Sequence, residues 1–192
     1  MRINCEPVVS VLGMATILAV VLAVPEASGF EPKWPAGRFD YLVVDQDVRD
    51  ILQEYGHNLG VPVKVSGEIK EQRVVGPLPV ESAQAFLKTL CGTYGLLWYY
   101  DGTTLHFSSE TELKNELINL GRFLRSDMVV TRLERIGAAD ARYPIRGTAD
   151  VHVLSVSGPP AYRTLVRQEV IAMAKAAEGG VVVVRAGKDR NQ

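Results

Sequence analysis

Cysteine is almost missing from this chain: Cys5 and Cys91 are the only two. Cys5 lies in an N-terminal segment expected to be removed, so Cys91 is left alone and no disulfide is expected in the mature protein. Four residues after Leu87 on a helical pattern, Cys91 reads as a small buried apolar side chain rather than a reactive thiol. Histidine is as scarce. His57, His106 and His152 stand far apart, with no cysteine or carboxylate at ligand spacing, so no metal site is expected. His57 reads as a helix-end residue near the C-terminal dipole, and His106 as the solvent face of a strand. A glycine-rich phosphate loop, a nucleophile elbow and a zinc-binding helix motif are all lacking, and Ser155 and Ser157 have no evident base. Net charge is lacking too: 21 Lys and Arg against 22 Asp and Glu leave −1, which gives no global argument for nucleic acid or an anionic membrane as partner. These absences leave no cofactor and no small-molecule substrate to expect, and they put an exported enzyme behind the other function classes.

The N-terminus carries a secretory signal. Arg2 supplies positive charge, Val8 to Val24 is almost entirely apolar, and Pro25 with Ala27, Ser28 and Gly29 follows. Ala27 and Gly29 are small enough for a signal peptidase site, which puts the cut between Gly29 and Phe30. The competing reading is an uncleaved anchor, since the apolar run is at the short end of what spans a bilayer. No lipidation box precedes a cysteine at the cut, which argues against a lipoprotein.

Beyond residues 1–29 the chain divides into an extended leader (30–38), a first module (39–109), a charged linker (110–119) that could continue as helix, a second module (120–187) and a polar tail (188–192). Phe39 to Val44 alternates and reads as the first strand. Asp45 or Asp47 can cap a helix whose apolar residues Val48, Ile51, Leu52 and Tyr55 share one face, with Gly56 placed as its left-handed C-terminal residue. Val61 to Val65 and Arg73 to Leu78 read as short strands, with Pro62 and Pro77 marking edges or strand ends. A second helix begins near Val80, carries Ala83, Phe86, Leu87, Leu90 and Tyr94 inward, and stops at Gly95. Leu96 to Phe107 then reads as a hairpin about Asp101-Gly102. Two helices on a small mixed sheet make this an α+β module, and one of about 70 residues is expected to be marginal alone. From Gly121 a helix ends near Gly137, Arg142 to Arg146 and Val151 to Val156 form strands, and Pro159 and Pro160 open a final helix. A further strand is expected at Val181 to Val184, and another is weighed at Leu117 to Leu120.

Surface chemistry is thin. Asp45, Asp47, Asp50 and Glu54 fit a solvated helix face, and Trp98, Tyr99 and Tyr100 fit cross-strand packing better than a stacking platform. One asymmetry stands out: acids concentrate in the first module, while the second carries Arg122, Arg125, Arg132, Arg135, Arg142, Arg146, Arg163 and Arg167. Opposite potentials on adjoining modules suit stacking within the chain or between copies in a ring. Arg132, Arg135, Arg163 and Arg167 are therefore candidate ring-interface residues. A basic module could also bind nucleic acid, but export takes the protein away from it.

The residues carry a family likeness. Tyr41 to Val44, Val48 to Leu52, Val63 to Ser66, Phe86-Leu87 and the run Tyr94 to Gly102, with Trp98-Tyr99-Tyr100-Asp101-Gly102 at its end, resemble the N0 domain of type III secretion secretins. Leu154 to Tyr162, with Ser157-Gly158-Pro159-Pro160 inside it, resembles the strand-turn-helix of the N1 domain that follows. The resemblance implies two small α+β domains, an N0-like one and an N1-like, KH-like βαββα one, without cofactor. It implies a component of a homo-oligomeric periplasmic ring at the outer membrane, with inner-membrane ring proteins as partners on the N0 side. A run of lipid-facing alternating strands is lacking, so the resemblance is to the split secretins of rhizobial type III systems, whose pore is a separate polypeptide and which influence nodulation and host range. N0-like domains also resemble the signalling domain of TonB-dependent receptors, an alternative that leaves the second module unexplained.

Overall fold

The computed structural model describes residues 30–179, apart from 40, 42, 76, 77, 79 and 80. The expected leader peptide 1–29, the strand at Val181 to Val184 and the polar tail lie outside the described residues. No helix among those described is long and apolar enough to cross a membrane.

In the first module β1 (Gln46–Asp47) leads into α1 (Val48–Leu59), β2 (Val63–Val65), β3 (Arg73–Val74), α2 (Ala83–Tyr94), β4 (Leu96–Tyr100) and β5 (Leu105–Ser109). Asp47 caps α1 by accepting from the Arg49 amide, and its other oxygen accepts from the Gln72 amide, which ties β3 to the same residue. Ser82 caps α2 and Gly95, at φ 61°, closes it. The two helices bury Ile51, Leu52, Tyr55, Phe86, Leu87 and Leu90 against a three-stranded sheet of order β2-β5-β4, parallel between β2 and β5 and antiparallel between β4 and β5.

Three expectations for this module are corrected. The strand at Phe39 to Val44 is not formed at any of its described residues; the pairing strand is Gln46–Asp47, two residues long and antiparallel to β3. The alternation arises because Phe39 and Tyr41 pack on helices: the Phe39 ring lies 5.3 Å from Tyr55 and 5.1 Å from Phe86. Gly56 does not end α1. Gly60, at φ 67°, does, while Gly56 is buried where β2 crosses the helix. The α2 helix begins at Ala83 rather than near Val80, because Ser82 supplies the cap.

The second module consists of β6 (Lys114–Asn119), α3 (Ser126–Arg135), β7 (Ile145–Gly147), β8 (Val153–Gly158) and α4 (Pro160–Gly179), with both helices on one face of an antiparallel sheet of order β6-β8-β7. The expected linker is therefore a correction: Glu110–Glu112 is one 3-10 turn with a Ser109–Glu112 capping box, and Lys114–Asn119 is an edge strand paired along its whole length with β8. Only Ile118 of β6 is fully buried. Lys114, Asn115, Leu117 and Asn119 are exposed and Glu116 is partly covered, a pattern common in edge strands, which is why the segment looks like a connector. The α3 helix starts at Ser126 and leaves Phe123 exposed, and the strand expected at Arg142 to Arg146 is confined to Ile145–Gly147.

Candidate assembly surfaces

The β4–β5 hairpin is the wall the two modules share. On one face of β4, Leu96, Trp98 and Tyr100 pack with the first core, while Tyr99 points the other way and belongs to the second. Its ring meets Tyr162 edge-on at 5.0 Å and Tyr143 at 6.5 Å. Tyr143 in turn donates its hydroxyl to the Trp98 carbonyl at 2.9 Å. Arg142 lays its guanidinium 3.5 Å from the Trp98 ring centre, held there by two bonds to the buried Asp140, Nε to Oδ1 at 3.0 Å and Nη2 to Oδ2 at 2.6 Å. A flat cation over an indole face is a strong form of this contact. Gly158 completes the joint, because a Cβ there would stand 2.5 Å from Tyr162 Cδ1. The Ser157–Pro160 run thus joins β8 to α4 closely enough for Tyr162 to reach the seam.

The hairpin turn is rigidly bonded. Asp101 Oδ1 accepts from the Thr103 and Thr104 amides and the Thr103 hydroxyl, and Oδ2 lies 2.7 Å from His106 Nε2. His106 is therefore not a free solvent-face residue, as its strand position suggested; its side chain is mostly covered. Burial works against ionisation of Asp101, but the bonds from His106, Thr104 and Thr103 outweigh it and hold the carboxyl at about 2. Burial pushes the Cys91 thiol up to about 12 and the Tyr162 hydroxyl up to about 12, and raises Tyr99 and Tyr143 further. Burial thus keeps these four groups neutral within the packing.

The arginines divide. Arg163 and Arg167 on α4 are held within the chain by Glu116 of β6, at 3.0 Å and 2.5 Å. Arg163 also donates to the Gly158 carbonyl. Arg132 and Arg135 are exposed on α3, beside Met128 and Met173, along a shallow groove of about 430 Å³. Asp45 pairs with Arg73 at 3.1 Å, and His152 Nδ1 lies 2.8 Å from the Leu124 carbonyl. Among the described residues no group of three His, Cys, Asp or Glu could hold a metal ion. Sequence reasoning missed Arg142, Tyr143 and Asp140 as joint residues. The one available signal was the second aromatic face of β4, which a single-layer hairpin does not need.

Residues 41–107 match the family described as SPI-1 type 3 secretion system secretin, N0 domain. The chain is thus similar to the N-terminal part of type III secretion secretins. It is 33% identical over 167 residues to nodulation protein NolW of Sinorhizobium fredii, covering 87% of this chain and 66% of that protein. It is 35% identical over 134 residues to the type 3 secretion system secretin of Ralstonia nicotianae, covering 70% of this chain and 23% of that secretin. The chain thus spans just under two thirds of the nodulation protein and about a quarter of the full-length secretin. Among solved structures it is similar to a chain in the atomic model of the Salmonella SPI-1 type III secretion injectisome basal body proteins InvG, PrgH and PrgK, at TM-score 0.63 and 27% identity over 72% of this chain and 29% of that one. It is also similar to a chain of the InvG N0N1–SpaPQR–PrgHK assembly from the same injectisome, at TM-score 0.61 and 27% identity over 70% of this chain and 93% of that one. The secretin likeness thus extends beyond N0, and the βαββα order of β6, α3, β7, β8 and α4 is that of an N1-like domain.

Proposed function

We propose that this chain is the periplasmic N0–N1 part of a type III secretion secretin, a non-enzymatic ring component that works with a separate pore polypeptide in protein export. The observation that carries the reading is the joint likeness of both modules: an N0 match over residues 41–107, and a fold match to a solved N0N1 chain over 93% of its length. A sensor of the TonB-receptor type has no use for the second module. In this reading the leader peptide is cut before Phe30 and the chain faces the periplasm under the outer membrane. Its N0 side meets inner-membrane ring proteins of the PrgH and PrgK kind, and its cargo bears on nodulation and host range, as the likeness to NolW suggests. The exposed pair Arg132 and Arg135 is the proposed contact between neighbouring copies, whereas Arg163 and Arg167 are engaged within the chain by Glu116.

The test is co-purification of the tagged chain from outer-membrane fractions. The expected result is a heat-resistant, high-mass complex that contains a second polypeptide with a secretin pore region, and a chain whose mass begins at Phe30. Recovery as a free periplasmic monomer would overturn the proposal. In the same preparation Arg132→Glu with Arg135→Glu should abolish the high-mass species while leaving the monomer folded, because reversing two exposed charges alters encounter and not the core.

A further inference from the structure

Phe30 and Trp34 lie on one short segment but pack on different modules. The Phe30 ring joins the margin of the second core and Trp34 that of the first. Phe30 covers two glycines, one from each module. A Cβ built at Gly102, in the β4–β5 turn, would stand 3.5 Å from its ring, and so would one at Gly137, just past α3. Pro32 between the two aromatics is buried, while Glu31 and Lys33 are exposed. Trp34 then meets Trp98 edge-on at 5.8 Å, close to the face that Arg142 reaches from the second module. Four extended residues cover about 13 Å, so one straight length of peptide links the glycine slot to Trp98.

We propose that the seam carries a peptide-binding site. It consists of a slot floored by Gly102 and Gly137 and the adjoining edge of Trp98, and it takes an extended peptide of the pattern aromatic-x-Pro-x-aromatic. Its occupant is this chain's own Phe30–Trp34, which acts as a strap fastening the two modules into one body. The chain otherwise crosses between modules once, through residues 110–113, and the strap adds to the Tyr99–Tyr162, Tyr143–Trp98 and Arg142–Trp98 contacts of the seam. The two rings and the proline supply its specificity, because the charged residues between them face water. Its grip is reversible. The Trp34 indole N–H is buried without a hydrogen-bond partner among the described residues, and that desolvation cost offsets part of what burial of the rings contributes.

The test uses the chain from Phe30 onward with nitroxide labels at Asn58→Cys on α1 and Gln168→Cys on α4, both exposed positions. Cys91 is buried, with its thiol pushed up to about 12, and stays unlabelled. Electron–electron resonance should give one narrow distance distribution for the parent. Phe30→Ala with Trp34→Ala should lose it, and the blocked peptide Phe-Glu-Pro-Lys-Trp-Pro, added at about the millimolar effective concentration of a short tether, should restore it. The same peptide with alanine at both aromatic positions should not. An amide fingerprint that keeps both cores separates loss of the strap from loss of fold. A variant that keeps the narrow distribution, or one whose broadened distribution the peptide leaves unchanged, would overturn the proposal.

Discussion

A methyl group at Gly56 would stand 2.9 Å from the Val61 carbonyl oxygen and overlap the Val63 side chain, because β2 passes directly over α1 at that point. Alanine elsewhere in a helix is the better residue by up to about 1 kcal/mol, but here backbone blocks it. Gly56→Ala should therefore destabilise the first module by about 1–3 kcal/mol, the usual cost of overpacking, and shift the urea midpoint down without changing the slope. Asp101 is a residue-scale case of a different kind. Its folded-state carboxyl sits at about 2 against an ordinary 3.8. A depressed carboxylate contributes stability that is fully present above the unfolded value and is lost as pH falls through the folded one. That contribution should therefore disappear between about pH 4 and pH 2. Asp101→Asn should be less stable than the parent at neutral pH and should show a flatter stability curve across that acid window; equal slopes for the two proteins would refute the assignment.

Elements show where local chemistry decides structure and where it does not. The cap at Asp45 or Asp47, the Gly95 stop, the Asp101-Gly102 turn and proline at the start of α4 were legible because each is settled by a few neighbouring residues. The first strand was misread because Phe39 and Tyr41 alternate for contact with helices that periodicity does not reveal. The β6 strand was legible only at its end, where a strand is weighed at Leu117 to Leu120, because an edge strand with one buried residue has almost no apolar pattern to read. Its partner chemistry became visible only in three dimensions, since Glu116 is 47 and 51 residues from the arginines it holds. Arg163 is mostly covered and Arg167 about half exposed, so the two bonds are unequal. Glu116→Ala leaves the covered guanidinium without its carboxylate and should cost about 1–2 kcal/mol. Arg167→Ala should cost less than about 0.5 kcal/mol, as exposed pairs do. Urea denaturation of the two variants measures the difference, and equal losses would show that β6 is not held through Arg163.

At the scale of the whole molecule, β4 is one strand serving two cores, and that arrangement sets how the protein comes apart. Tyr99 is 1% exposed; beside the His106 ring stacked on it within the hairpin, its cover comes from Tyr143 and Tyr162 of the second module. Two independent modules would unfold in two steps, and a core defect in one would leave the other's amides protected. Here the second core is closed by a residue that the first module holds in place. Tyr99→Ala removes a buried ring from that core and should cost about 3–5 kcal/mol, the range for aromatic-to-alanine changes. The loss should appear in hydrogen exchange at Leu154 and Val166, which are far from residue 99 in sequence but lie in the same core. Phe86→Ala, in the first core, is the informative contrast. It loosens the helices that support β4, so if the modules unfold together it should lower protection at Val166 as well as at Leu87. Protection at Val166 that falls with Tyr99→Ala but stays intact with Phe86→Ala would mean that β4 remains ordered when its own helices loosen, and that the two modules are joined without being cooperative.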